Sequence, residues 1–272
     1  KMTLVSTDWL SKNINKVKII DASWHLVKNR NAIEEYNKEH LENAIFFDLD
    51  KNSNQRKDLP HGHFLPSASD HEKAVSKMGI LNTDNIVIYC NSDLISSCRA
   101  WFQFLYFGHN PNLVSVLNGG MKKWKKEKKK VTNIKTKVVP SKYIAKEKKQ
   151  MIKIKSEIDE NIKRKKFTLL DARSKNRFLG LEAEPRPGIK SGSINGSKSL
   201  PLSELVDTKN NTFLDKKKLK DIFSLRGATN NEIVMSCGSS VSASSLALAY
   251  SLINDDYMAK IYIGSWTEYG KK

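Results

Sequence analysis

Ile233-Val234-Met235-Ser236-Cys237-Gly238-Ser239-Ser240-Val241-Ser242-Ala243 is a short apolar run that ends in a cysteine and opens into a string of small residues. An apolar run of this length reads as a buried strand, and the stretch from Ser242 to Leu252 has the length of a helix. The arrangement occurs earlier in the chain as well. Ile86-Val87-Ile88-Tyr89-Cys90 puts a cysteine in the same register, and helix-like sequence follows from Arg99 to Phe107. Upstream, Val17-Lys18-Ile19-Ile20-Asp21-Ala22-Ser23 matches Phe167-Thr168-Leu169-Leu170-Asp171-Ala172-Arg173. Downstream, Leu113 to Leu117 with Gly119, Gly120 and Trp124 corresponds to Lys260 to Ile263 with Gly264 and Trp266. The order of elements is the same twice.

Short apolar strands alternating with helix-length segments predict an α/β protein of two domains, each a parallel sheet flanked by helices. Apolar periodicity lapses in the polar, lysine-rich stretch from Thr132 to Ile152, which Pro140 interrupts. The first domain is therefore expected over 1–138, a linker over 139–150 and the second domain over 151–272. Thr7 before Asp8-Trp9-Leu10 is a candidate helix N-cap, Gly79 a helix stop, and Ser156 with Asp159 a capping-box variant. Cys98 is expected to begin a helix and pack.

A chain of 272 residues with 39% hydrophobic content can bury a sizeable core and is not of the disordered class. No apolar run approaches the roughly 18 residues of a membrane helix, and no secretory signal is visible, so a soluble chain without a membrane partner is expected. Lys1 preceding Met2 leaves open a targeting segment ahead of it. The net charge of +18 raises the question of nucleic acid. The densest lysine groups, Lys122 to Lys130 and Lys146 to Lys155, hold few aromatics to stack on bases, and they read as a solvated face with no nucleic-acid partner. The field should attract small anions and acidic partners. Cys90, Cys98 and Cys237 are odd in number and show no C-x-x-C spacing, which argues against a disulfide framework and a zinc site. Free thiols suit a reducing compartment, and the expected location is the cytoplasm.

A loop of small residues between a strand and a helix lets successive backbone N–H groups turn inward, where the helix adds unpaired donors and the positive end of its dipole. Such a cradle holds an anion. A thiol at Cys237 would have its pKa lowered there, and a thiolate attacks sulfur. From the loop alone Cys237 is equally well a buried cysteine at a strand end. A phosphatase of the Cys-x5-Arg kind is disfavoured, because position 243 is alanine.

The loop is similar to the C-G-S-G-V-T-A loop of 3-mercaptopyruvate sulfurtransferases, which have two rhodanese domains, the second catalytic. The resemblance extends along the chain through Val5-Ser6-Thr7-Asp8-Trp9-Leu10, Phe47-Asp48-Leu49-Asp50, His63-Phe64-Leu65-Pro66, Leu117-Asn118-Gly119-Gly120, Arg177-Phe178, Glu184-Pro185-Arg186-Pro187-Gly188 and Gly264-Ser265-Trp266. It implies tandem rhodanese-like domains with the site between them, and a Cys237 persulfide formed from 3-mercaptopyruvate with release of pyruvate. Arg177 and Arg186 match the arginines that bind the substrate carboxylate. Ser239, His63 and Asp50 match a proton-handling triad, and Gly238, Ser240, Val241 and Ser242 complete the loop around the donor. His61 competes with His63, which alone is followed by Phe-Leu-Pro, and the connection from Asp50 to His63 is longer than usual for the family.

The sister family, thiosulfate sulfurtransferase, carries basic residues after its cysteine where this chain has Gly238 and Ser239. Mercaptopyruvate is therefore the expected donor and thiosulfate the alternative. The resemblance implies a thiol acceptor such as thioredoxin or a small thiol, with cyanide serving in an assay, and no metal or organic cofactor. Cys90 is expected to be noncatalytic, since Asp93 repels a thiolate and Leu94 and Ile95 are bulky. Ser240 stands where the family has glycine, at a position where positive φ is cheap only for glycine. A noncatalytic rhodanese-fold binding module is the alternative if Ser240 distorts the loop.

Overall fold

The computed structural model describes residues 2–54, 56–60, 62–228 and 232–272. His61 lies outside the described residues. The chain forms two compact units, one of Lys1–Asn52, Pro66–Lys148 and Thr208–Thr212, the other of Ser53–Leu65, Lys149–Asp207 and Phe213–Lys272. Residues 53–65, read from sequence as part of the first domain, thus belong to the second unit. The expected linker is also no free connector: as far as Lys148 it belongs to the first unit, where Tyr143 is buried and the N–H groups of Ser141 and Lys146 donate to Ser76 O and Phe107 O.

In the first unit the elements run β1 (Leu4–Val5), α1 (Thr7–Asn13), β2 (Lys18–Asp21), α2 (Ala32–Lys38), β3 (Ala44–Phe46), α3 (Ala68–Lys77), β4 (Ile86–Tyr89), α4 (Ser97–Tyr106), β5 (Val114–Leu117) and α5 (Gly120–Lys126). The strands form one parallel sheet in the order β1-β5-β4-β2-β3. All four residues of β4 are buried, as an unbroken apolar run requires of a central strand covered on both faces. Every residue of α4, including Cys98, is buried as well.

From Lys149 onward the elements are β6 (Ile152–Lys153), α6 (Lys155–Arg164), β7 (Phe167–Asp171), α7 (Lys175–Phe178), β8 (Lys198–Ser199), β9 (Val206–Asp207), β10 (Thr212–Phe213), α8 (Lys216–Ser224), β11 (Glu232–Ser236), α9 (Val241–Ser251), β12 (Ile261–Tyr262) and α10 (Ser265–Tyr269). The sheet order β6-β12-β11-β7-β8 has the topology of the first sheet, with β9 and β10 forming a separate pair. β7 and β11 run side by side with Asp171 level with Ser236, so that Cys237 follows the carboxyl end of a central strand. Open parallel sheets place their sites at that end. α9 is buried all round, which its small residues permit; its buried Ser244 and Ser251 hydroxyls donate to the carbonyls of Ser240 and Leu248.

Gly79 does stop α3, at φ 72°. Two helix starts differ from expectation. The N-cap of α1 is Ser6, whose Oγ accepts the Trp9 N–H, and Thr7 is the first helical residue. α6 begins before Ser156, with Glu157 accepting the Ile154 N–H, so the acid at the third helical position, and not Asp159, closes that end. The pairing of Trp124 with Trp266 also shifts. Met121 N–H donates to Cys90 O as Trp266 N–H donates to Cys237 O, which places Met121 in the position of Trp266.

His71 is the most perturbed histidine described in the first unit. It is buried against Phe104, Phe107 and Tyr143; its Nδ1 accepts from Gln103, and its Nε2 is buried without a partner among the described residues. Burial first, then nearby Arg99 and His109, lower its pKa from 6.5 to about 3. The unfolded chain binds this proton below its ordinary pKa and the folded chain does not, so the stability His71 contributes is present above pH 6.5 and is lost as pH falls toward 3. Urea unfolding is expected to show this loss, on the order of several kcal/mol over that window, and a shallower acid slope in His71→Gln.

Candidate active site at the Cys237 loop

The loop from Cys237 to Ser240 joins β11 to α9 and is held from below by α10. Trp266 N–H donates to Cys237 O at 2.9 Å, and Thr267 donates to Gly238 O through both N–H (2.9 Å) and Oγ1 (2.6 Å). Cys237 N–H donates to Ser265 Oγ at 3.2 Å. With the carbonyls of Cys237 and Gly238 engaged, the loop turns into α9 through Ser240, which is left-handed at φ 76°. Ser244 is the residue whose N–H returns to Ser240 O, so the N–H groups of Val241, Ser242 and Ala243 precede the first intrahelical bond. Cys237 lies three residues ahead of Ser240, the N-cap of α9, and is 2% exposed. Ser240 therefore takes, in spite of its side chain, the left-handed conformation that glycine adopts at low cost.

Two guanidinium groups close on Gly238. A Cβ built there would lie 2.8 Å from Arg186 Nη1 and 3.2 Å from Arg177 Nη2. Glycine is needed at 238 for close approach rather than for its φ. Arg177, on α7, is gripped by Glu184 through Nε (2.8 Å) and Nη2 (2.7 Å). Glu184 also lies 3.3 Å from Arg173, which chelates Asp171 at the end of β7, and the side chains of Arg173, Asp171 and Glu184 are all buried. Burial works against the charge of Arg177, but the Glu184 bonds, with the Cys237 and Asp171 charges behind them, outweigh it and raise its pKa. It stays a cation.

Arg186, 7% exposed, donates from Nη2 to Ser239 Oγ at 2.8 Å, and Ser239 Oγ lies 2.8 Å from His63 Nδ1. A guanidinium only donates, so Ser239 accepts from Arg186 and keeps its hydroxyl proton available to His63. His63 itself is buried, and its carbonyl accepts a 3.4 Å bond from Ser240 Oγ. His63 comes from the 53–65 segment, bridged on itself at Asn54 and Phe64. Of the residues expected at the site, Cys237, Gly238, Ser239, Ser240, Val241, Ser242, Arg177, Arg186 and His63 all belong to the second unit. Asp50 belongs to the first, where it accepts the Trp24 Nε1–H at 3.1 Å. Sequence reasoning passed over Glu184, Arg173 and Thr267; only Glu184 carried a signal, as an acid two residues ahead of Arg186.

The rhodanese-like domain family matches residues 6–127 and again 155–272. This chain belongs to the rhodanese family. It is 34% identical to thiosulfate/3-mercaptopyruvate sulfurtransferase 2 of Arabidopsis thaliana, over 98% of this chain and 83% of that one. Identity to the mouse 3-mercaptopyruvate sulfurtransferase is 32% (98% and 91% covered) and to the mouse thiosulfate sulfurtransferase 33% (99% and 92% covered). The crystal structure of SseA from Escherichia coli, described with the catalytic mechanism of 3-mercaptopyruvate sulfotransferases, superposes with a TM-score of 0.86 at 26% identity, covering 98% and 99% of the two chains.

The first rhodanese domain offers a control within the same molecule. Cys90 has the register of Cys237, but burial pushes its thiol up, and Gly120 stands where Ser265 supplies the hydroxyl beneath Cys237. Ser23 stands where the second rhodanese domain has Arg173, and the buried Asp21, without an arginine, is pushed up to about 6 by burial. Ser240 supplies a direct test of the loop geometry. Ser240→Gly removes the left-handed strain and is expected to be at least as stable as the parent, whereas Ser240→Ala should be about 1 kcal/mol less stable than Ser240→Gly in urea unfolding.

Proposed function

We propose that the protein is a sulfurtransferase that takes sulfur from 3-mercaptopyruvate onto Cys237 and passes it to a thiol. The observation that carries the reading is the approach of Arg177 and Arg186 to Gly238 beside Cys237. Two planar cations next to a nucleophile on a helix start suit a donor that carries a carboxylate two atoms from its sulfur-bearing carbon. The guanidinium groups fill the space a basic side chain at 238 would need, so the positive charge comes from outside the loop.

In this scheme the Cys237 thiolate attacks the donor sulfur, the carbon–sulfur bond breaks, and its electron pair passes into the enolate of pyruvate. Protonation of that carbon completes pyruvate, the proton coming through Ser239 and His63. Asp50, the acid that the family resemblance pairs with His63 by analogy with a hydrolytic triad, is assigned no step here and accepts from Trp24 Nε1. The resulting persulfide, an anion, is held by the N–H groups at the start of α9 and by Arg186 until a thiol such as thioredoxin or a small thiol takes the outer sulfur. Among the described residues no helix is long and apolar enough to cross a membrane. Three free cysteines fit a reducing compartment, and the cytoplasm is the proposed location.

Thiosulfate is the alternative donor, since relatives of both names match equally well. Steady-state assays separate the readings. Pyruvate release from 3-mercaptopyruvate is expected to fall on the order of 1000-fold in Cys237→Ser and to persist in Cys90→Ser. Gly238→Ala should raise KM by about tenfold or more, because its methyl group displaces both arginines. Full activity in Cys237→Ser, or no pyruvate from the parent, overturns the proposal; a clear preference for thiosulfate overturns the choice of donor.

A further inference from the structure

The 53–65 segment leaves the first unit at Asn52 and returns to it at Pro66, yet packs within the second unit. One side chain on it makes an unusual set of contacts. Arg56 forks onto Asp58, with Nε 3.0 Å from Oδ1 and Nη2 on Oδ2, while Nη1 reaches Glu268 Oε2 on α10. Its guanidinium also lies over the Phe64 ring, 5.1 Å from the centroid, and Phe64 follows His63 directly. Glu268 is itself fixed: Tyr262 Oη donates to its second oxygen at 2.7 Å.

Gly264 clears the space for this carboxylate. Its φ is an ordinary −71°, so the left-handed region does not demand glycine there; a Cβ at 264 would strike the Glu268 carboxylate. The residues of α10 just ahead of Glu268 grip the nucleophile loop, Trp266 at Cys237 O and Thr267 at Gly238 O. One turn of helix therefore holds the Cys237 loop through Trp266 and Thr267 and the His63 segment through Glu268.

We propose that Arg56 and Glu268 are positioning residues, which fasten the 53–65 segment to α10 and so keep His63 on Ser239 and the segment over Cys237. The proposal rests on Cys237 being the nucleophile. An ion pair as open to solvent as this one adds little to overall stability, so its effect falls on the placement of His63 rather than on the fold.

The test measures alkylation of Cys237 by iodoacetamide, resolved by peptide mass spectrometry from Cys90 and Cys98, alongside kcat, KM and thermal midpoint. Arg56→Ala is expected to speed Cys237 alkylation about fivefold, the factor that about 1 kcal/mol represents, and to lower kcat similarly with KM changed by less than about twofold. Arg56→Lys should recover part of both effects, since lysine keeps the charge without the fork. Glu268→Gln should move both readouts as Arg56→Ala does. Faster alkylation in Arg56→Ala supports the clamp even if no donor yields turnover, which separates it from the proposed activity. Unchanged alkylation and kcat, or a lower midpoint with unchanged alkylation, overturns it.

Discussion

Asp171, Arg173, Glu184 and Arg177 form a chain of alternating charge that runs from the end of a central strand to the rim of the Cys237 loop. The three members nearest the strand have side chains no more than 4% exposed, so each charge has given up water and is stable only while its neighbours remain. Removing one partner from such an arrangement costs about 3–5 kcal/mol, because the other charge is left stranded. That cost keeps Arg177 in one place. A lone arginine on a short helix would swing through solvent; here Glu184 takes two of its donors and aims the rest at the loop.

The chain of charge also separates the two rhodanese domains although they share a sheet order. Both end their second strand in an aspartate at the same register. In the second domain Arg173 neutralises that acid and passes the interaction outward to Glu184 and Arg177. In the first, Ser23 offers only hydrogen bonds, burial pushes the Asp21 carboxyl up to about 6, and the Cys90 thiol is pushed up by burial first and by Asp21 in addition. The same backbone thus builds a loop flanked by two arginines in one place and a packed corner in the other. The difference includes the residue two positions after the aspartate, Arg173 against Ser23, and Ser265 in place of Gly120 beneath the loop.

The sheets were legible in the sequence because unbroken apolar runs and their flanking helices recur in order, and register alone placed both cysteines at strand ends. The loop was legible for the same reason: its small residues lie next to one another in the chain. What the sequence hid depends on contacts between distant residues. Nothing local marks Glu184 as the partner of Arg177, or the 53–65 segment as part of the second unit. Ser240 is a different case. A preference for glycine at positive φ is a matter of roughly 1 kcal/mol, and the bond from Thr267 to Gly238 O and the start of α9 hold Ser240 there regardless. The helix starts at Ser6 and Ile154 lie a residue or two from the expected ones, because Ser6 Oγ takes the Trp9 N–H and Glu157 takes the Ile154 N–H.

The central claim is that Cys237, and not Cys90, carries the sulfur. Peptide mass spectrometry of the protein treated with 3-mercaptopyruvate in the absence of an acceptor tests it most directly. The account predicts a gain of one sulfur atom on the peptide containing Cys237, reversed on adding a thiol, with the Cys90 and Cys98 peptides unchanged. Sulfur on the Cys90 peptide, or pyruvate released with no sulfur retained on Cys237, would contradict it.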